Sequence, residues 1–307
     1  MSASATIPGT STPVPPKPFR AGPPSATVHS QLGLLSEFPG TWRGSGFNLI
    51  ARPFFGAPVP FFLELNGTNE TLDFTPISGD VPNRGSGQPD INLHVIRYLQ
   101  QVTDCATDTG IHVEPGLWLH VPATTDPPGG ESYVRQATIP HGDSLLAQST
   151  FTTTVNGPPV INPVNSTPFT DAAIPGLNAD PTNPITNPAY LAQYLEAVLP
   201  PDCLPDGLDP KATVKDPTSV LRAQIAGQNI VNTVVIAIST VAPGNLANIP
   251  FVVKNANAVQ MDAIFWVEIV LRESGETYVQ LQYVQRVILD FIGIHWPHIS
   301  VATLRKL

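Results

Sequence analysis

The chain has 307 residues, of which only 13% are charged, and its formal net charge is −9 with 15 basic side chains. Those 15 form no run, which excludes a nucleic-acid-binding surface, and no stretch approaches the ~18 uninterrupted apolar residues of a membrane-crossing helix. The 35 prolines and 23 glycines suit many short strands joined by turns and long surface loops, not a helical protein.

Residues 1–28 are rich in Pro, Ser, Thr and Ala, with Pro13-Val14-Pro15-Pro16-Lys17-Pro18 at the centre. Such a segment favours extended polyproline conformations and buries too little apolar surface to fold alone. It reads as an N-terminal arm. It shows no charged n-region followed by an apolar core, so no secretory signal is expected and the expected location is cytoplasmic.

From residue 29 onward the chain reads as one domain. Gln31 to Leu35 is a short helical or turn-like lead-in. Thr41 to Asn48 follows as a first strand, with Gly44 and Gly46 where a sheet bends or a ligand approaches the backbone. In Phe61 to Asn66, Phe61, Leu63 and Leu65 alternate with more polar neighbours. Further strands are expected at Asn92–Val102, His112–Val121, Tyr133–Ile139, Ser144–Val155, Val220–Ala226, Asn229–Ser239, Ala263–Arg272 and Tyr278–Leu289. About ten strands with turn signals between them point to an all-β, antiparallel barrel spanning 29–307. Residues 157–217 stand apart as an insertion, because proline every few residues would break a central strand. One helix is expected there: Asn187 caps, Pro188 takes the first helical position, and Leu191, Tyr194, Leu195, Val198 and Leu199 form an apolar stripe ended by Pro200-Pro201. A loop this long with an apolar helix is expected to pack as a cover over one end of the barrel.

Seven histidines are present: His29, His94, His112, His120, His141, His295 and His298. None has a zinc-protease spacing. His112-Val113-Glu114 places two side chains on one face of a strand, and a hydrogen-bonded pair is expected over a metal site. Ile139-Pro140-His141-Gly142 is a turn. No Gly-x-Ser-x-Gly elbow occurs, and Asn83-Arg84-Gly85-Ser86-Gly87 lacks the lysine of a phosphate loop. Cys105 and Cys203 could form one disulfide; two free thiols are the expectation for a cytoplasmic protein. The sequons at Asn66, Asn69 and Asn165 are set aside for want of a secretory signal.

The C-terminal stretch carries the most specific pattern. The alternating strand Tyr278 to Gln285 is followed by His295-Trp296-Pro297-His298 and then by Leu304-Arg305-Lys306. A neutral histidine framed by Trp296, Pro297 and Ile299 has the chemistry of an axial haem ligand, and spacing alone equally suits a strand-entry residue bonded to nearby backbone. Together with Gly40-Thr41-Trp42-Arg43-Gly44-Ser45-Gly46, Tyr98-Leu99-Gln100 and His112-Val113-Glu114-Pro115-Gly116-Leu117-Trp118, in that order, this ending resembles the nitrobindin family of haem-binding β-barrels, over about 31–155 and 220–307. The arm and the 157–217 insertion have no counterpart in that shorter family.

The resemblance implies haem b with His298 as its iron ligand, His295 being the neighbour that a register slip would substitute. It makes Trp42, Phe47, His112, Trp118 and His141 the expected pocket residues, with His112 or His141 as a distal hydrogen-bond donor. It also implies reaction with nitric oxide or peroxynitrite, small diatomic or peroxo ligands, as an isomerase or in a peroxidase-like way. Two rivals come from other classes: a non-enzymatic carrier of an apolar ligand such as a fatty acid, and an assembly module whose proline-rich arm holds neighbouring subunits in a homo-oligomer.

Overall fold

The computed structural model describes residues 25–77, 79–171, 185, 187–241 and 243–307. The arm expected over 1–28, save its last four residues, lies outside them. Ten long strands make the wall: β1 (Gly40–Pro53), β2 (Phe61–Pro76), β3 (Ile91–Asp104), β4 (Gly110–Val121), β5 (Ser132–Ile139), β6 (Asp143–Val155), β7 (Ile230–Ser239), β8 (Asn257–Leu271), β9 (Thr277–Phe291) and β10 (Ile294–Lys306). Pairing runs β7-β8-β9-β10-β1-β2-β3-β4-β5-β6, and β6 pairs with β7, so the antiparallel sheet closes. Closure removes the free edges that an open sheet would present.

Period-2 alternation sorts the side chains. On β8, Met261, Ala263, Phe265 and Val267 join the interior core, while Ile264 and Trp266 belong to a second core outside the wall. Gly44 and Gly46 sit where β10 crosses closely: a Cβ at either would lie 2.0 Å from the Thr303 carbonyl oxygen or 2.1 Å from that of Val301. The close neighbour is backbone of the adjacent strand.

One end of the barrel is plugged. A helix α1 (Ser25–Gln31) and a 3-10 turn (Gly33–Leu35) bring Leu32, Leu35 and Phe38 against Trp42, Trp118 and Tyr133. The Trp42 indole donates to the Phe38 carbonyl at 2.7 Å, and the Leu34 amide donates to the Tyr133 hydroxyl. The helical lead-in therefore serves as a lid on the interior.

The insertion is a cover, but over a side and not an end. Its helices α2 (Pro188–Leu195) and α3 (Pro210–Lys215), with α4 (Thr218–Ile225) directly after it, bury Tyr194, Val214, Val220 and Leu221 against Phe47, Leu49, Phe61, Trp266, Val284 and Ile299 on the outer faces of β1, β2, β8, β9 and β10. Helix α2 starts where expected, with Asn187 accepting from the Ala189 amide. The strand expected at Val220–Ala226 is instead helix α4. Asp216 accepts from both the amide and the hydroxyl of Thr218 and is paired with Arg222 one turn on, which fixes a helical start. A short helix α5 (Pro250–Asn255) lies in the β7–β8 connection.

The expectation of two free thiols is overturned: Cys105 and Cys203 form a disulfide. It ties the turn after β3 to the insertion, and Gly67 next to it leaves room for the Asp202 carbonyl. The two positions lie too far apart in sequence for spacing to reveal the bond. Among the described residues no helix is long and apolar enough to cross a membrane.

Candidate functional site

Inside the wall, three layers follow from the inward positions of each strand. The plug layer is apolar. The middle layer is polar, because Glu70, Gln100, Glu114, Arg135 and Tyr283 occupy positions where alternation would otherwise place core residues. Arg135 reaches across it, donating to Glu114 at 2.5 Å, to the Tyr98 hydroxyl at 2.8 Å and to Gln285 at 2.7 Å. Burial works to raise the Glu114 carboxyl, but the Arg135 charge and the His112 and Tyr98 contacts outweigh it and hold the pKa at about 2. Burial raises Glu70, only partly offset by hydrogen bonds from Tyr283 and Gln100. The layer is nearly full: the space between residues such as Phe74, Tyr98, Arg135 and Tyr283 is about 10 Å³, room for about one water.

The third layer lies at the end away from the plug, where the β1–β2, β3–β4, β5–β6, β7–β8 and β9–β10 connections gather. Strand β4 begins there with His112, the β5–β6 turn supplies His141, and β10 supplies His298. The His112 and His141 rings are 5.7 Å apart, and His112 Nε2 lies 3.2 Å from Glu114. His298 faces inward beside Val287. His298 is half-buried, and burial still pushes its pKa to about 3, with His112 and His141 adding to the depression. Burial, then His112, lowers His141 too. His298 Nε2 lies 2.7 Å from Asn48 Oδ1, while Nδ1 makes no hydrogen bond among the described residues and is not sealed from space.

Of the residues expected to form a pocket, His112, His141 and His298 are brought together at this end. Trp42 and Trp118 are inward but lie in the plug layer, the latter stacked edge-on against Phe38. Phe47 falls on the opposite face of β1 from Trp42 and Asn48 and packs under the insertion, so it lines no interior space. His295 is engaged elsewhere, by Asp290 and by Asp171 at 2.8 Å, and a β-bridge to Phe169 holds it to the insertion. Residue typing alone passes over Asn48, Glu70 and Arg135. The signal that finds them is a polar residue at an inward position of an alternating strand.

These residues fit a haem in one respect and limit it in another. A neutral imidazole with an unengaged nitrogen can serve as an axial donor. The middle layer has room for about one water, so a group of haem size does not fit between its side chains. Among the described residues no cluster of three or more His, Cys, Asp or Glu side chains is arranged to hold a bare metal ion.

No family model matches this chain, and no curated protein matches it. Among solved structures, the crystal structure of Rv2717c from M. tuberculosis is similar over 94% of this chain and 99% of that one, with 12% sequence identity and a TM-score of 0.40.

Proposed function

We propose that this barrel binds haem at its histidine end, with His298 supplying the iron ligand. The observation that carries the reading is a half-buried His298, its pKa held at about 3, with one ring nitrogen unengaged, gathered with His112 and His141 away from the plugged end. A base with a pKa of about 3 holds no competing proton at neutral pH, so its lone pair is available to a Lewis acid. His112, oriented by Glu114, and His141 are the groups able to donate or accept a hydrogen bond beside a bound ligand. Ferric haem bound there would supply an iron centre able to take nitric oxide or peroxynitrite, and isomerisation of peroxynitrite is the reaction we assign to it.

Titrating the protein with haemin is the test. A saturable Soret band is expected at one haem per chain, and His298→Ala is expected to weaken binding by more than the roughly 10–100-fold that loss of a mere partner of a metal ligand costs. Identical spectra and affinity in the variant would defeat the ligation. Decay of peroxynitrite no faster with the loaded protein than with His298→Ala would defeat the isomerase assignment alone.

A second reading has its own observation. Phe54, Phe55, Ile249, Phe251 and Ile292 are exposed on the connections at this same end, an apolar rim suited to a carrier of an apolar ligand. Native mass spectrometry finding bound lipid without haem would favour the carrier.

A further inference from the structure

The end of β1, β2 and β3 next to His298 contains a chain of side-chain hydrogen bonds whose direction can be deduced from chemistry alone. The Asn66 amide faces two carboxylates, with Nδ2 at 3.0 Å from Asp104 Oδ2 and 3.3 Å from Glu64 Oε1. Ionised carboxylates only accept hydrogen bonds, so the NH2 end of Asn66 must be the end that faces them. Its Oδ1 is thereby turned to Asn48, 3.3 Å from Nδ2. Asn48 must then present its own Oδ1 to His298, and that oxygen also accepts from the Ser300 hydroxyl at 3.0 Å. An amide oxygen 2.7 Å from His298 Nε2 requires a hydrogen on that nitrogen. Each link leaves no freedom for the next. The Asp104 carboxyl is itself held below its ordinary range, chiefly by the Asn66 hydrogen bond, which keeps the far end of the chain ionised.

We propose that Asn48 and Asn66 are positioning residues that carry the orientation set by Asp104 and Glu64 to His298, fixing its Nε2–H tautomer and leaving the lone pair on Nδ1. Donation runs one way along the whole chain, from imidazole to carboxylate, so each bond polarises the next and makes His298 a stronger electron-pair donor. The ligand atom offered to a metal centre or hydrogen-bond donor is Nδ1. This deepens the His298 reading above by naming which nitrogen acts and what aims it.

Long-range ¹H–¹⁵N correlation spectra of the haem-free protein at neutral pH test it, with the His298 signal assigned by its loss in His298→Ala. His298 is expected as the Nε2–H tautomer. Asn48→Ala is expected to turn it into a mixture of tautomers. Asn48→Asp, which keeps an acceptor oxygen for the ring, is expected to preserve it. Thermal unfolding of each variant checks that the fold persists, and the Asp variant holds the question open should the Ala variant fail to fold. A predominantly Nδ1–H wild type, or an unchanged tautomer in Asn48→Ala, would overturn the proposal. Because the spectra need no haem, failure to bind haemin would sink the cofactor reading and leave this result standing.

Discussion

Two glutamates, both fully buried, have their carboxyl pKa values pushed in opposite directions, and the difference lies in what each partner set provides. Glu114, in the barrel interior, has the Arg135 guanidinium at 2.5 Å and a pKa of about 2. Glu268, on the outer wall beneath the insertion, has no charged partner among the described residues. Burial pushes it up to about 7, and a hydrogen bond from Gln280 offsets only part of that. In the interior the Glu114 charge is paired with Arg135, while Glu70 in the same layer is raised by burial. At the seam the acid has no charged partner among the described residues, and burial favours its protonated form. In the protein alone, Glu268 Oε1, Gln280 Oε1 and Gln282 Oε1 are buried acceptors without a donor, and a proton on Glu268 turns one of the three acceptors into a donor.

The largest way to break this contrast is to make the interior resemble the seam. Arg135→Met strands the Glu114 charge and is expected to cost about 3–5 kcal/mol in urea unfolding at pH 7, as removal of one partner of a buried pair does. A loss below about 1 kcal/mol would mean that Tyr98 and His112 suffice to hold the carboxylate.

Next in size is the pH dependence. The folded pKa of Glu268 lies above its ordinary 4.5, so its favourable contribution is complete below about 4.5 and is lost as pH rises towards 7. A shift of that size amounts to roughly 3 kcal/mol. Glu114 behaves oppositely: its contribution is present above about 4.5 and lost as pH falls towards 2. The neutral His298 also favours higher pH, so the wild-type curve mixes signs. The difference between Glu268→Gln and wild type isolates the seam. It is expected to be small near pH 4.5 and to grow in favour of the variant by about 3 kcal/mol at pH 8. A flat difference would refute the protonated seam.

How much of this was legible in the sequence depends on the range of the interaction. The barrel was legible because alternation is local: Phe61, Leu63 and Leu65 announce their face within five residues. The helix at Pro188 was legible for the same reason, since its cap lies at the adjacent Asn187. Val220 to Ala226 misled because two adjacent apolar residues suit a strand as well as a helix, and the deciding contact is the Asp216–Thr218 cap before them. The placement of the insertion along the side wall was not legible, because its partners Phe47 and Trp266 lie more than 40 residues away on either side. For the site, the sequence names His112, His141 and His298 without bringing them together, and it names Phe47 without telling its face, which lies under the insertion. Asn48 gains its meaning only from Asn66 and His298 across two strand pairings.

The smallest expected effect serves as a control on the histidine end. His141 is exposed and outside both buried-charge systems, so His141→Ala is expected to change unfolding free energy by no more than about 0.5 kcal/mol. A larger loss would show that the histidine end contributes to stability as the plug does.

The Cys105–Cys203 bond has a mechanical consequence. It closes a covalent ring that contains β4, β5, β6 and the first part of the insertion, including α2, while β1–β3 and β7–β10 remain outside it. A pulling force applied through the chain ends would therefore travel through the disulfide and bypass everything in the ring. With a separation of 98 residues, the fully stretched chain would be shorter by roughly 320–350 Å than its reduced form, at the reach of an extended backbone. Three neighbouring staves of the barrel would then be shielded from tension for as long as that one covalent bond survives.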